Sequence, residues 1–373
     1  MHKNQISGMN ISKEKVLKAL STVEDPDLKK DLVTLGMIQD LEIISDQKIS
    51  FKVVLTTPAC PLKELIRINC EEAIKKAFGE ELEAEILMTS NVTTIRNDAV
   101  MLPNVKNIIA IASGKGGVGK STCSSNLAVA LAKSGAKVGL IDADISGPSV
   151  PTMFNVEGEQ PAIKQVDGKN IIVPIEQYGV KLMSIGFLTP AENAVVWRGP
   201  MASSALKQFI GDVDWGELDY LLIDLPPGTS DIHLTMVQTL PVTGAVIVTT
   251  PQKVALADAT KALTMFQQPQ INVPILGVVE NMAYFTPAEL PDNKYYIFGQ
   301  GGGRKLSEKY DVTYLGEIPL VQGIRESGDS GYPAVMKEGI MAEAFGNFAE
   351  GVARQVAIRN AGASKTEVVQ VKG

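Results

Sequence analysis

The hydrophobic pattern changes period several times before residue 97. Ser12 precedes apolar positions at Val16, Leu17 and Leu20, the spacing of a capped amphipathic helix that stops before the turn-rich EDPDLKKD. Two strand-like runs follow, LEII at 41–44 and ISFKVVL at 49–55, separated by the polar SDQK at hairpin-loop length. Pro61 stands where the first turn of a helix tolerates proline, and Leu62, Leu65, Ile66, Ile68 and Ala73 keep helical spacing up to Gly79. A strand near EAEILM completes a small α+β domain, assigned to residues 1–96, and NDAVMLPNVK at 97–106 reads as a linker.

Beyond the linker, strand and helix patterns alternate. Candidate strands are 108–113, 137–144, 180–186, 220–226, 244–251 and 275–282, most of them continuous apolar runs. Such runs suit strands buried on both faces, so residues 107–360 are expected to form an α/β domain with a mainly parallel sheet and helices on both sides. The last helix is expected over 341–359, with 361–373 as a flexible tail.

Composition narrows the function classes. The chain has 373 residues, 45% hydrophobic and 21% charged, which suits a folded protein of two domains and excludes disorder or coiled coil as a description of the whole. A net charge of -7 argues against nucleic-acid binding by bulk charge. No apolar run approaches the roughly 18 residues of a bilayer span, and the first residues, MHKNQISGMNISKEK, lack the apolar core of a secretory signal, so a cytoplasmic address without stable membrane association is expected. Three cysteines, Cys60, Cys70 and Cys123, form no CxxC pair, which fits a reducing compartment.

The clearest chemistry lies in GKGGVGKST at 114–122, which satisfies GxxxxGK[ST] between an apolar strand and the helix-like SNLAVALAKSG. Phosphate requires several inward N–H donors, and Gly114, Gly116, Gly117 and Gly119, with Val118 between them, permit a tight backbone. Lys120 is expected on the β and γ phosphates of ATP, Ser121 on Mg²⁺, and Thr122 on a further phosphate at the helix start. Asp224 ends an apolar strand in LLIDLPPGTSDIHL, where a carboxylate can reach Mg²⁺ through water, and Gly228 follows as a possible γ-phosphate sensor. Asp142 and Asp144 in DADISGPSVP are two apart, on one side of the strand if it continues. They also suit an N-capping turn, and Asp142 reads as a Mg²⁺ or a loop contact.

GKGGVGKST resembles the deviant Walker A loop of ATPases that include division-site and plasmid-partition proteins and the nitrogenase iron protein. That resemblance implies a homodimer in which Lys115 reaches the partner's nucleotide, where otherwise it would be a solvated loop charge. It also implies that Asp144 orients the attacking water, that the Asp224 segment is Walker B with switch II, and that Asn281 contacts adenine rather than merely ending a strand. DADISGPS, LIDLPPGTSDIHLT, GVVENM, YIFGQGGG and LGEIPL further resemble the Mrp/ApbC-type iron-sulfur cluster carrier ATPases, and LTTPACPL at 55–62 resembles the assembly domain fused in front of bacterial members.

The resemblance implies slow ATP hydrolysis, a nucleotide-switched dimer, and transfer of clusters to apo iron-sulfur proteins together with assembly factors. One departure bears on the cargo: many members carry a CxxC after the VENM strand, whereas here no cysteine lies between 281 and 299 or anywhere after Cys123. Cys60, expected at a helix start between Pro58 and Pro61, is then the candidate iron-sulfur contact, or else a small core residue. Cys70 and Cys123 read as packing. His2 and His233 form no metal set, and His233 suits either local structure or a report on nucleotide state. An interaction or positioning ATPase without a cluster is the alternative function.

Overall fold

A computed structural model describes residues 11–96, 101–144, 147–187, 199–229 and 231–362. The chain divides into two compact units. One runs through Thr93 and includes Ala357–Gly362, and the other is Thr94–Val356.

In the first unit, α1 (Lys13–Leu20) is capped by Ser12, whose side chain accepts from Lys15 N, as the sequence predicts. Two short strands, β1 (Glu24–Asp25) and β2 (Lys30–Asp31), pair antiparallel across the EDPDLKKD turn, where Asp25 Oδ1 accepts from the N–H groups of Asp27 and Leu28. The hairpin β3 (Ile38–Ser45) and β4 (Lys48–Leu55) follows, and α2 (Lys63–Phe78) returns the chain so that β5 (Glu83–Ser90) lies parallel to β4. Alternate residues of β4, namely Ile49, Phe51, Val53 and Leu55, are buried beneath α1 and α2 with Val16, Leu20, Ile66 and Ile74. The α2 helix starts at Lys63, so Pro61 precedes its first turn instead of occupying it.

The second unit is an α/β sheet in chain order β6 (Val105–Ala112), α3 (Lys120–Lys133), β7 (Val138–Asp142), α4 (Val150–Met153), the hairpin β8 (Ala162–Val166) and β9 (Lys169–Val173), β10 (Ile175–Gln177) and β11 (Val180–Ser184). It continues through α5 (Gly199–Gly211), β12 (Leu218–Asp224), α6 (Asp231–Thr239), β13 (Gly244–Thr249), α7 (Lys253–Gln267), β14 (Ile275–Phe285), α8 (Gly302–Tyr310), β15 (Tyr314–Leu320), α9 (Gln322–Asp329) and α10 (Ile340–Gly362), whose residues from Ala357 onward belong to the first unit. The strand order is β10-β11-β7-β12-β6-β13-β14-β15, parallel throughout except for β10. All six predicted strands are present. Consecutive residues of β7 and β13 are buried, the signature of a sheet covered on both faces.

Four strands of this unit escape the periodicity reading. β15 contains Pro319, which an edge strand accommodates, and β10 is only three residues long. The β8–β9 hairpin sits outside the main sheet and is largely exposed, although Asp167–Gly168 at its tip, both with positive φ, is a strong turn signal. The linker expectation changes at its second half. Met101 and Leu102 pack against the sheet core, Arg96 donates to the carbonyls of Met101, Leu102 and Val105, and β6 begins at Val105. Residues 97–100 and the tail from 363 onward lie outside the described residues.

Candidate functional site

The sheet order brings one end of three strands together. β12 lies between β6 and β7, and Asp224 pairs in register with Ile111 on one side and Asp142 on the other. All three strands end at the same crevice, where an open α/β sheet binds its ligands. The loop 113–119 leaves β6 there and enters α3.

Different glycines of this loop answer different demands. Gly117 and Gly119 have φ of 81° and 80°, the left-handed region that a side chain strains. Gly119 is also closely approached, since a Cβ there would stand 2.1 Å from Asn281 Nδ2. Gly114 meets a packing demand: a Cβ would fall 1.9 Å from the carbonyl oxygen of Asp258 on α7. Gly116 has open space. No side chain caps the start of α3, so its first N–H groups and the positive end of the helix dipole are left for an anion. A cavity of about 210 Å³ opens over them, lined by Lys115, Lys120, Ser121, Thr122 and Asp144 among others.

Lys120 and Asp224 form a buried ion pair at the floor, Nζ to Oδ1 2.8 Å, with side chains 6% and 0% exposed. Lys120 Nζ also lies 3.3 Å from Ser121 Oγ, and Ser124 Oγ donates to Asp224 Oδ1 at 2.6 Å. Asp224 Oδ2 is buried with no hydrogen-bond partner. An orphaned carboxylate oxygen is a hard oxygen donor, and Mg²⁺ binds through one or two such groups plus substrate phosphates. The residues present therefore fit Mg²⁺.

The structure separates the two aspartates that the spacing placed on one side. β7 stops at Asp142, and the chain turns before Asp144, which lines the phosphate cavity. Asp142 is fully buried below it. Its Oδ1 accepts from Asp144 N, and its Oδ2 accepts from Val150 N and Ser184 Oγ. Burial, then repulsion from Asp224, pushes its carboxyl up to about 7. Asp142 thus holds the backbone N–H groups of Asp144 and Val150 to the end of β7, the loop-contact role.

Other expected residues are placed as follows. Lys115 is exposed, and its carbonyl accepts from Ser113 Oγ at 3.0 Å. Gly228 has φ of 85°, and its N–H donates to Ser113 O at 2.8 Å. Val118 is buried, and its carbonyl accepts from Asn281 Nδ2 at 2.8 Å, so Asn281 braces the phosphate loop directly. Asn281 also lines a second cavity of about 610 Å³ that shares Gly119 and Thr122 with the first and extends to Met282, Pro319, Val321 and Ile324. This wall and Ser124 were missed from the sequence. The wall follows from β15 ending beside β14, and Ser124 from standing one helical turn after Lys120 on α3.

Burial pushes the thiols of Cys70 and Cys123 up to about 12, which suits packing and not metal binding. Cys60 is half-buried in the turn between β4 and α2, three residues before the helix and not at its start, and its carbonyl accepts from Lys63 N at 3.4 Å. Ala59 N donates to Thr57 Oγ1 in the same turn. Among the described residues no group of three or more His, Cys, Asp or Glu could hold a metal ion. His233 is buried on α6 with its ring 6.4 Å from that of Phe266, and His2 lies outside the described residues. No helix among the described residues is long and apolar enough to cross a membrane.

Comparison with known proteins adds independent findings. Residues 104–354 match the family model described as NUBPL iron-transfer P-loop NTPase, and residues 13–86 match that of an iron-sulfur cluster assembly protein. An iron-sulfur cluster carrier protein of Synechocystis is 47% identical over 352 residues, 93% of this chain and 99% of that one. A namesake in Deinococcus radiodurans is 48% identical over 348 residues, 92% and 95% of the two chains. A nucleotide-binding protein from Archaeoglobus fulgidus, solved in complex with ADP, superposes with a TM-score of 0.55 at 41% identity, covering 64% of this chain and 91% of that one.

Proposed function

The chain belongs to the iron-transfer P-loop NTPases, and from that premise we propose that it is an iron-sulfur cluster carrier whose homodimer is switched by ATP binding and hydrolysis. The observation that carries the reading is the phosphate cradle with its buried Lys120–Asp224 pair, in a chain that also bears a cluster-assembly domain.

Phosphate is received by the N–H groups at the start of α3 and by Lys120, which exchanges its partner Asp224 for phosphate oxygens. Ser121 and Asp224 hold Mg²⁺, which when bound neutralises charge on the transferring phosphoryl group. Asp144, at the cavity, orients the attacking water. Lys115, exposed in the loop, reaches the nucleotide of the second protomer, so that dimerisation supplies charge to the reaction that a single protomer lacks. Thr122 and the shared wall around Asn281 carry the nucleotide onward into the larger cavity, which holds the base. ATP and ADP then favour different dimer arrangements, and the energy difference between them drives the switch.

The cluster is cargo. With Cys70 and Cys123 buried and their thiols raised, Cys60 is the thiol that contacts it, aided by outside thiols, and apo iron-sulfur proteins receive it. A second reading, an interaction ATPase that carries no cluster, is favoured by the absent CxxC. Anaerobic reconstitution with iron and sulfide separates them: bound iron, labile sulfide and transfer to an apo-acceptor are measured for wild type and Cys60→Ser. The carrier reading expects a transferable cluster that Cys60→Ser loses. ATP hydrolysis without any cluster on wild type selects the second reading.

A further inference from the structure

Asp224 is asymmetric in its surroundings. Oδ1 receives two donors, Lys120 Nζ at 2.8 Å and Ser124 Oγ at 2.6 Å, while the equally buried Oδ2 receives none. Ser124 is itself fully buried on α3, and its Oγ lies 3.0 Å from the carbonyl of Lys120 as well. A serine hydroxyl has one proton, and a bond to an ionised carboxylate is stronger than a bond to a peptide carbonyl. The proton therefore belongs on the Asp224 side, and the 2.6 Å separation is typical of a hydroxyl donating to a carboxylate.

Lys120 has two anions to serve. When its ammonium turns toward a phosphate, Asp224 loses its cation while remaining out of contact with solvent. A buried carboxylate with no donor is expensive and is free to turn about its own Cβ–Cγ bond. Ser124 can stay, because its position is fixed by α3 and does not depend on the lysine side chain.

We infer that Ser124 is a positioning residue that keeps hold of Asp224 Oδ1 while Lys120 moves to phosphate, so that Oδ2 remains presented to the divalent cation. This rests on the reading of the cradle as a Mg²⁺-nucleotide site. It assigns the orphaned oxygen a purpose and explains why the floor carries a neutral donor in addition to a lysine. The hydroxyl of Ser121, the nearer serine to the loop, is left for the cation.

The test is equilibrium binding of a fluorescent ADP analogue to the full chain, with and without Mg²⁺, for wild type, Ser124→Ala and Ser124→Thr. Melting is followed in parallel. Loss of one charge-assisted hydrogen bond corresponds to about a tenfold or larger rise in the Mg²⁺ concentration that half-tightens binding to Ser124→Ala, with metal-free affinity within about twofold. Ser124→Thr, which keeps the hydroxyl, is expected to bring the Mg²⁺ requirement back toward wild type. An unchanged Mg²⁺ requirement in Ser124→Ala overturns the inference. So does a parallel loss of metal-free binding and melting temperature, which marks a merely structural role, or a folded Ser124→Thr that behaves like Ser124→Ala. Wild type that binds the analogue with no response to Mg²⁺ sinks the parent reading instead, and is recognisable because it appears without any substitution.

Discussion

The phosphate loop and the Cys60 turn follow strands in different units, and different kinds of contact define them. The loop is over-determined. Two left-handed glycines, a third pressed against α7, a buried ion pair and a side-chain brace from Asn281 all fix one backbone path. The Cys60 turn has a half-buried thiol, a hydroxyl turn from Thr57 and a long 3.4 Å bond into α2. Phosphate chemistry uses backbone donors and buried charge, so it constrains many residues at once. Handling a cluster for transfer asks for release as much as for capture, and in the proposed carrier the half-buried Cys60 thiol would serve both.

Lys120→Ala should mark the difference most strongly. It removes the cation proposed to serve phosphate and strands Asp224 as a buried anion. Turnover is expected to fall by at least about a hundredfold, and unfolding free energy by about 3–5 kcal/mol. Hydrolysis assays and urea titration check the two losses, and normal turnover would remove Lys120 from the site. Next in size is a contrast inside the loop. Gly114→Ala forces α7 or the loop to shift and should cost about 1–3 kcal/mol. Gly116→Ala, whose Cβ would meet nothing nearer than Pro227 at 3.8 Å, should cost less than about 1 kcal/mol. Equal costs would mean that close packing does not explain Gly114.

A further effect concerns pH. The Asp142 carboxyl is raised from 3.8 to about 7, so the native state holds that proton more tightly than the unfolded chain does. Its contribution to stability is fully present below 3.8 and is lost as pH rises through about 7. Asp142→Asn abolishes this titration, so between about pH 5.5 and about pH 8 its urea midpoint should gain on that of wild type. A constant gap across that range would show that Asp142 titrates like an exposed carboxylate.

Much of this was legible in the chain. Continuous apolar runs located the six central strands because burial on both faces demands them, and the spacing of glycine and lysine located the cradle because phosphate demands backbone donors. What escaped depends on neighbours distant in sequence. Gly114 looked like a phosphate glycine, but its constraint comes from the Asp258 carbonyl on α7. Asp142 and Asp144 differ because β7 stops between them, and a two-residue spacing does not reveal where a strand stops. Ser124 resembles any other helix serine until β12 brings Asp224 against it. Pro319 concealed an edge strand, and with it the wall of the larger cavity.

The Lys120–Asp224 pair has a consequence for life among competing solutes. With the ammonium already neutralised at 2.8 Å, the resting cradle projects little net field from its floor. A small stray anion must displace the carboxylate with only its own charge, whereas under the proposed function a nucleotide would arrive with a cation for Asp224 as Lys120 turned to its phosphates. With the lysine so held, a bare anion meets only the N–H groups at the start of α3, whereas a metal-bearing nucleotide would meet those and the lysine as well.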